Sequence, residues 1–146
     1  MNKILAVLMV TVVASLVVSN VAADGSRAGA PRVTTLSGAE SVGGADSDGS
    51  GFASVWLNVG RGRVCWAISF EKIAAPFAAH IHAAPAGVNG GVVVPFSPIA
   101  GGCTESDPEL IQAIIDFPDR YYVNVHNADF PGGAIRGQLS NPGQSS

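Results

Sequence analysis

The chain has 146 residues, with 8 Lys and Arg against 11 Asp and Glu and a formal net charge of −3. This mild acidity, without any polybasic run, excludes a binder of nucleic-acid phosphates and a docking surface for anionic lipid, since both need clustered cations. With 2 cysteines and 3 histidines in all, the position of each carries information.

Met1-Asn2-Lys3 opens a stretch that is apolar from Ile4 to about Val18, and Val21-Ala22-Ala23 precedes the first acidic residue, Asp24. A basic start, an apolar run and small residues before a cut are the parts of a secretory signal, expected to be removed after Ala23. The run is short for a spanning helix and no second one follows, so no membrane span is expected after its removal. No cysteine lies near the cut, which argues against a lipid-modified N-terminus. The destination is the periplasm, the medium or the cell surface. Residues 24–32 are small and polar and predict a flexible lead-in. One domain follows over residues 33–140, then a flexible tail over 141–146.

Val33 to Glu40 predicts a first strand. Gly43 to Gly51 is rich in turn formers, and its alternating Asp46 and Asp48 lack the later Glu that closes an EF-hand, so it reads as a plain hairpin loop. Phe52 to Val59 alternates, breaks at Gly60-Arg61-Gly62-Arg63, and returns as Val64 to Phe70 with Val64, Trp66, Ile68 and Phe70 on one side. After Pro76 comes a strand carrying His80 and His82, then a tight loop at Gly87 to Gly91 and a short strand from Val92 to Phe96. Pro98 to Gly102 leads into Cys103. One helix is predicted near 107–116. Ser106-Asp107-Pro108-Glu109 supplies an N-cap, an early proline and an acidic first turn, Ser106 with Glu109 fits a capping box, and Pro118 stops the run. Tyr121 to His126, a turn through Pro131-Gly132-Gly133, and Ala134 to Ser140 form a closing hairpin. The fold class is therefore all-β: a Greek-key sandwich or barrel, superoxide dismutase-like or immunoglobulin-like, with one short helix.

Common catalytic patterns are missing. The serines follow no nucleophile-elbow pattern, no carboxylate pair stands out as a glycosidase dyad, and no glycine-rich loop runs into a helix with a lysine. The histidines remain. Residues two apart on a strand share a face, so His80 and His82 point the same way, with Ile81 opposite. Tyr122, Asn124 and His126 share one face of the closing strand, with Val123 and Val125 on the other. If the apolar residues fill the core, three imidazoles stand on the outer face of the sheet with Asn124, Arg136 and Gln138. Such a facial set suits copper, or less readily zinc, with Asn124, Arg136 and Asp129 as supporting groups. The competing reading is structural: the histidines bond loop carbonyls and pin the loop from Pro85 to Gly91 over the sheet, with Arg136 as a further brace. Cys65 and Cys103 in an exported chain suggest one disulfide, free thiols or a thiolate ligand being the alternatives.

His80-Ile81-His82, the Gly87 to Gly91 loop with Val92 to Pro95, Tyr122 to Asn127 and Phe130 to Leu139 together resemble the CHRD domain, named after chordin, over most of residues 33–139. The resemblance implies a secreted protein without an established general activity, and a cysteine pair such as many bacterial members carry. It points to a binding or interaction module for an undefined ligand, and not to an enzyme. Copper/zinc superoxide dismutases are similar in placing a His-x-His pair on the outer face of a strand, with a late His and an Arg nearby. They use a fourth copper-ligating His, which this chain lacks. Two other readings stand beside the interaction module. One is a copper protein with a redox or carrier role. The other is a structural exported domain that binds a protein or glycan through Trp56, Trp66 or the tyrosines.

Overall fold

A computed structural model describes residues 28–43 and 45–144. The expected signal segment lies outside the described residues, as do the last two residues of the expected tail.

The chain folds as β1 (Ala30–Ser37), β2 (Ser50–Asn58), β3 (Arg63–Glu71), β4 (Pro76–Ala83), β5 (Gly91–Pro95), β6 (Gly101–Glu105), α1 (Pro108–Asp116), β7 (Tyr121–Asn127) and β8 (Ile135–Gln138). The strands form one antiparallel sheet in the order β5-β4-β7-β8-β1-β2-β3-β6. Alternation in the sequence sets the inner face: Ala53, Val55 and Leu57 of β2, Val64, Trp66 and Ile68 of β3, Ile81 of β4, and Val123 and Val125 of β7 are all buried in one core. The joint between the halves is thin, because β8 meets β1 at Ser37 opposite Arg136, with an added bridge from Val33 to Ser140. The sheet curls there. Phe96, just beyond β5, stacks on Trp66 of β3 with centroids 4.5 Å apart, and the Ile68 N–H donates to Ala100 O at 2.8 Å. The expected all-β sandwich with one short helix is thus formed by a sheet folded over on itself.

Several boundaries differ from the sequence reading. β1 begins at Ala30, so residues 30–32 of the expected lead-in are sheet, and residues 38–40 turn as a short 3-10 helix. Arg32 explains the early start: its buried guanidinium donates to the carbonyls of Pro31 and Ile115, the latter in the last turn of α1. Cations at a helix C-terminus satisfy carbonyls that lack an intrahelical partner. At the other end of α1 the cap is Asp107, not Ser106, whose carboxylate accepts the Glu109 N–H at 2.8 Å. Ile111 and Ile114 bury the helix's apolar face in the core. The short strand β6 was not anticipated, since Gly101-Gly102-Cys103-Thr104-Glu105 shows no alternation. Its register puts Cys103 directly opposite Cys65 of β3, and the two form a disulfide. Residues 141–144 of the tail are exposed.

Candidate metal centre

His80 and His82 on β4 and His126 on β7 project from the face opposite Ile81, Val123 and Val125, as strand alternation requires. The antiparallel register sets His80 across from Asn124 and His82 across from Tyr122, with Ala78 beside His126. The three ring centroids form a triangle with sides of 5.0, 5.4 and 5.7 Å.

This face is not an open outer surface. The segment after β4 and the turn after β7 fold back over it, leaving His82 and His126 each 7% exposed and His80 half-buried. Local sequence allows that roof. Gly90 passes so close to the Ala83 backbone that a Cβ would collide with it, and Gly133 (φ 134°) lies against the Asn124 side-chain amide with the same consequence. Only glycine fits both positions.

The roof fixes the imidazoles. His82 Nδ1 lies 3.0 Å from Gly90 O, and His126 Nδ1 lies 2.9 Å from Pro131 O. A carbonyl can only accept, so in both rings Nδ1 carries the proton and Nε2 carries the lone pair. His126 Nε2 then accepts from His80 Nδ1 at 3.2 Å. His82 Nε2 is buried with no hydrogen-bond partner. A buried acceptor left unmatched costs about 1–3 kcal/mol. Each ring offers one nitrogen to a common region, these atoms all lying within 4.8 Å of one another. Three ligands about 2 Å from one ion must lie closer than that. The ring with no carbonyl anchor, His80, is the one free to close the gap.

Burial, and after it the neighbouring His126 and His82, hold the His80 imidazole well below its usual value of 6.5, at about 4. Burial also lowers His82, with the Gly90 hydrogen bond opposing the shift. His80 and His82 are therefore neutral at physiological pH, the form that binds a metal.

The supporting residues divide. Asn124 Nδ2 donates to Gly132 O at 3.1 Å, bracing the second roof loop. Arg136 is 1% exposed and donates to Val88 O at 2.9 Å and Pro85 O at 3.0 Å, bracing the first. Gln138 Nε2 adds a bond to Ala84 O. Asp129 is exposed, no hydrogen bond joins it to an imidazole among the described residues, and its charge is felt by Asp46. Backbone carbonyls take the supporting role expected of it, because a turn laid flat on the rings brings main-chain oxygens within reach. Tyr122 is a residue the sequence reading undervalued. Its ring stacks on His82 at 4.9 Å, its hydroxyl accepts the Gly90 N–H at 3.1 Å, and the Arg136 guanidinium lies over the ring, 3.4 Å from its centroid. Its place two residues from Asn124 on the same face was the available signal. Trp66 and Tyr122 are both buried, so neither serves as the exposed ligand platform considered above.

The family model for the CHRD domain matches residues 32–139. The chain belongs to the CHRD family. The match runs from within β1 to just past β8, so every residue of the histidine cluster and both of its roof loops lie inside the CHRD domain. Neither the curated proteins nor the solved structures contain a match to this chain. The likeness to superoxide dismutases therefore rests on the order and facing of the histidines and on the nearby Arg136, and all 3 histidines of the CHRD protein are already used.

Proposed function

We propose that this CHRD protein is an exported interaction domain whose fold holds a single late first-row metal ion, copper or zinc, on His80, His82 and His126. One observation carries the reading. His82 Nε2 is a buried lone pair with no partner, in a ring whose other nitrogen is tied to Gly90 O, beside two further imidazoles. A ligand histidine typically donates its second N–H to a carbonyl or carboxylate, which orients the ring and raises its basicity. His82 and His126 already have that arrangement. A bound ion would satisfy the unmatched nitrogen and replace the His80–His126 hydrogen bond.

Export is supported by the Cys65–Cys103 disulfide, which persists in oxidising compartments. Among the described residues no helix is long and apolar enough to cross a membrane.

The structural alternative also has an observation behind it: the same Nδ1 atoms pin both roof loops. Metal analysis separates the two. Protein stripped of metal, given one equivalent of Cu(II) or Zn(II) and freed of excess should retain one ion per chain, and His82→Ala and His126→Ala should retain none. If both variants hold as much metal as the wild type, the site is not here. Loss of stability without any change in metal content would favour the structural role.

A further inference from the structure

Resting on that metal reading, we infer that the site is built for copper in its cuprous state, and that Arg136 is the residue that sets this preference. Among the described residues the one cluster able to hold an ion consists of three imidazoles and contains no carboxylate or thiolate. Its ligands are neutral, so any ion keeps its full charge in a pocket where two of the three rings are almost wholly covered.

A fixed positive charge stands behind one ligand. Arg136, Tyr122 and His82 form a stack: the guanidinium is 3.4 Å from the Tyr122 centroid, and Tyr122 lies nearly parallel to His82 (10°) at 4.9 Å. The partners of that guanidinium are the neutral carbonyls of Val88 and Pro85 and, at 3.5 Å, the Gln138 amide oxygen. Among the described residues no carboxylate bonds to it, and the one that it feels electrostatically is the exposed Glu40. A buried charge with no bonded counter-ion acts over a longer range than a surface one, because little solvent screens it. Adding a dication beside it is penalised more than adding a monocation, and the penalty scales with the charge of the ion. Imidazole suits copper in either state. Three nitrogens satisfy Cu(I), whereas Zn(II) on three imidazoles must add a water to reach four-coordination, and no fourth His, Cys, Asp or Glu joins the cluster among the described residues.

Reduction is a one-electron step. A bound Cu(II) would gain that electron from an external reductant such as ascorbate, which becomes its radical with loss of a proton, while His80, His82 and His126 would be the residues that hold the ion in both states.

The test is a set of chelator competitions on the metal-free chain with Cu(I), Cu(II) and Zn(II), together with the midpoint potential of the copper form. The wild type is expected to bind Cu(I) at least a hundredfold more tightly than Zn(II), and more tightly than Cu(II). Arg136→Gln, which removes the charge, should lower the Cu(I)-to-Cu(II) affinity ratio about tenfold, a fall of about 59 mV for one electron. Arg136→Lys, which keeps the charge but loses the paired carbonyl bonds, should stay within about twofold of the wild type. If Arg136→Gln does not fold, the wild-type ordering and Arg136→Lys still decide. Zn(II) or Cu(II) bound as tightly as Cu(I) in the wild type overturns the inference while leaving a metal site standing. An unchanged ratio in folded Arg136→Gln does the same. If none of the three ions binds, the metal reading falls and the inference falls with it.

Discussion

Acidification of the metal-free protein should destabilise it through His80. The imidazole titrates at 6.5 when solvated and at about 4 in the fold, where burial and then the neighbouring histidines oppose its charge. A depressed histidine means that the unfolded chain binds more protons between those two values. Stability is then complete above about pH 7 and is lost progressively as pH falls through 6.5 toward 4. With each pKa unit worth 1.36 kcal/mol, the loss from His80 at pH 5 is about 2 kcal/mol at face value. The ring is half-buried, so solvent screening reduces this to about 1 kcal/mol. His82 is lowered in the same direction and adds to the loss. Urea unfolding of metal-free protein between pH 7.5 and 5 measures the slope, and His80→Gln should remove part of it. A wild-type stability that is flat over this range, or a slope that His80→Gln leaves unchanged, would refute the claim that the fold holds this ring neutral. Saturating metal should steepen the dependence, because protons and the ion compete for the same nitrogens.

Three further outcomes follow from the fold. Replacing both Cys65 and Cys103 with Ala releases a link across 38 residues, and loop-closure entropy puts the loss at about 4 kcal/mol, read as a lower urea midpoint; no free thiol should be titratable in the unreduced wild type. Gly90→Ala drives a Cβ into the Ala83 backbone and should cost about 1–3 kcal/mol, with metal retention falling as well because Gly90 O orients His82. Ile114→Ala empties a fully buried site under α1 and should cost about 2–5 kcal/mol in thermal or urea unfolding without changing metal retention.

The facing of the histidines was legible because alternation is a local rule: Ile81, Val123 and Val125 fix one face, and the imidazoles must take the other. The resemblance in the closing block located the family for the same reason, since its residues are contiguous. The burial of that face was only partly legible. A loop from Pro85 to Gly91 pinned by histidines could be imagined, but the second roof loop depends on Asn124 and His126 meeting Gly132 and Pro131, contacts that no periodicity announces. Asp129 looked useful by sequence proximity to His126, yet its side chain points to solvent while a neighbouring carbonyl does the bonding. Strand β6 escaped notice because it is short and rich in glycine, and its pairing is set by a partner 38 residues away. Arg32 was read as part of a polar lead-in because its reason for being buried, the carbonyl of Ile115, lies 83 residues further on.

The most direct measurement is an anomalous-difference map from crystals of the copper-loaded protein, collected on both sides of the copper absorption edge. One peak is predicted, about 2 Å from Nε2 of His82, Nε2 of His126 and one nitrogen of His80, with Gly90 O and Pro131 O still bonded to the Nδ1 atoms behind. No peak among these rings, or a stronger one elsewhere on the chain, would contradict the assignment of this cluster as a metal centre.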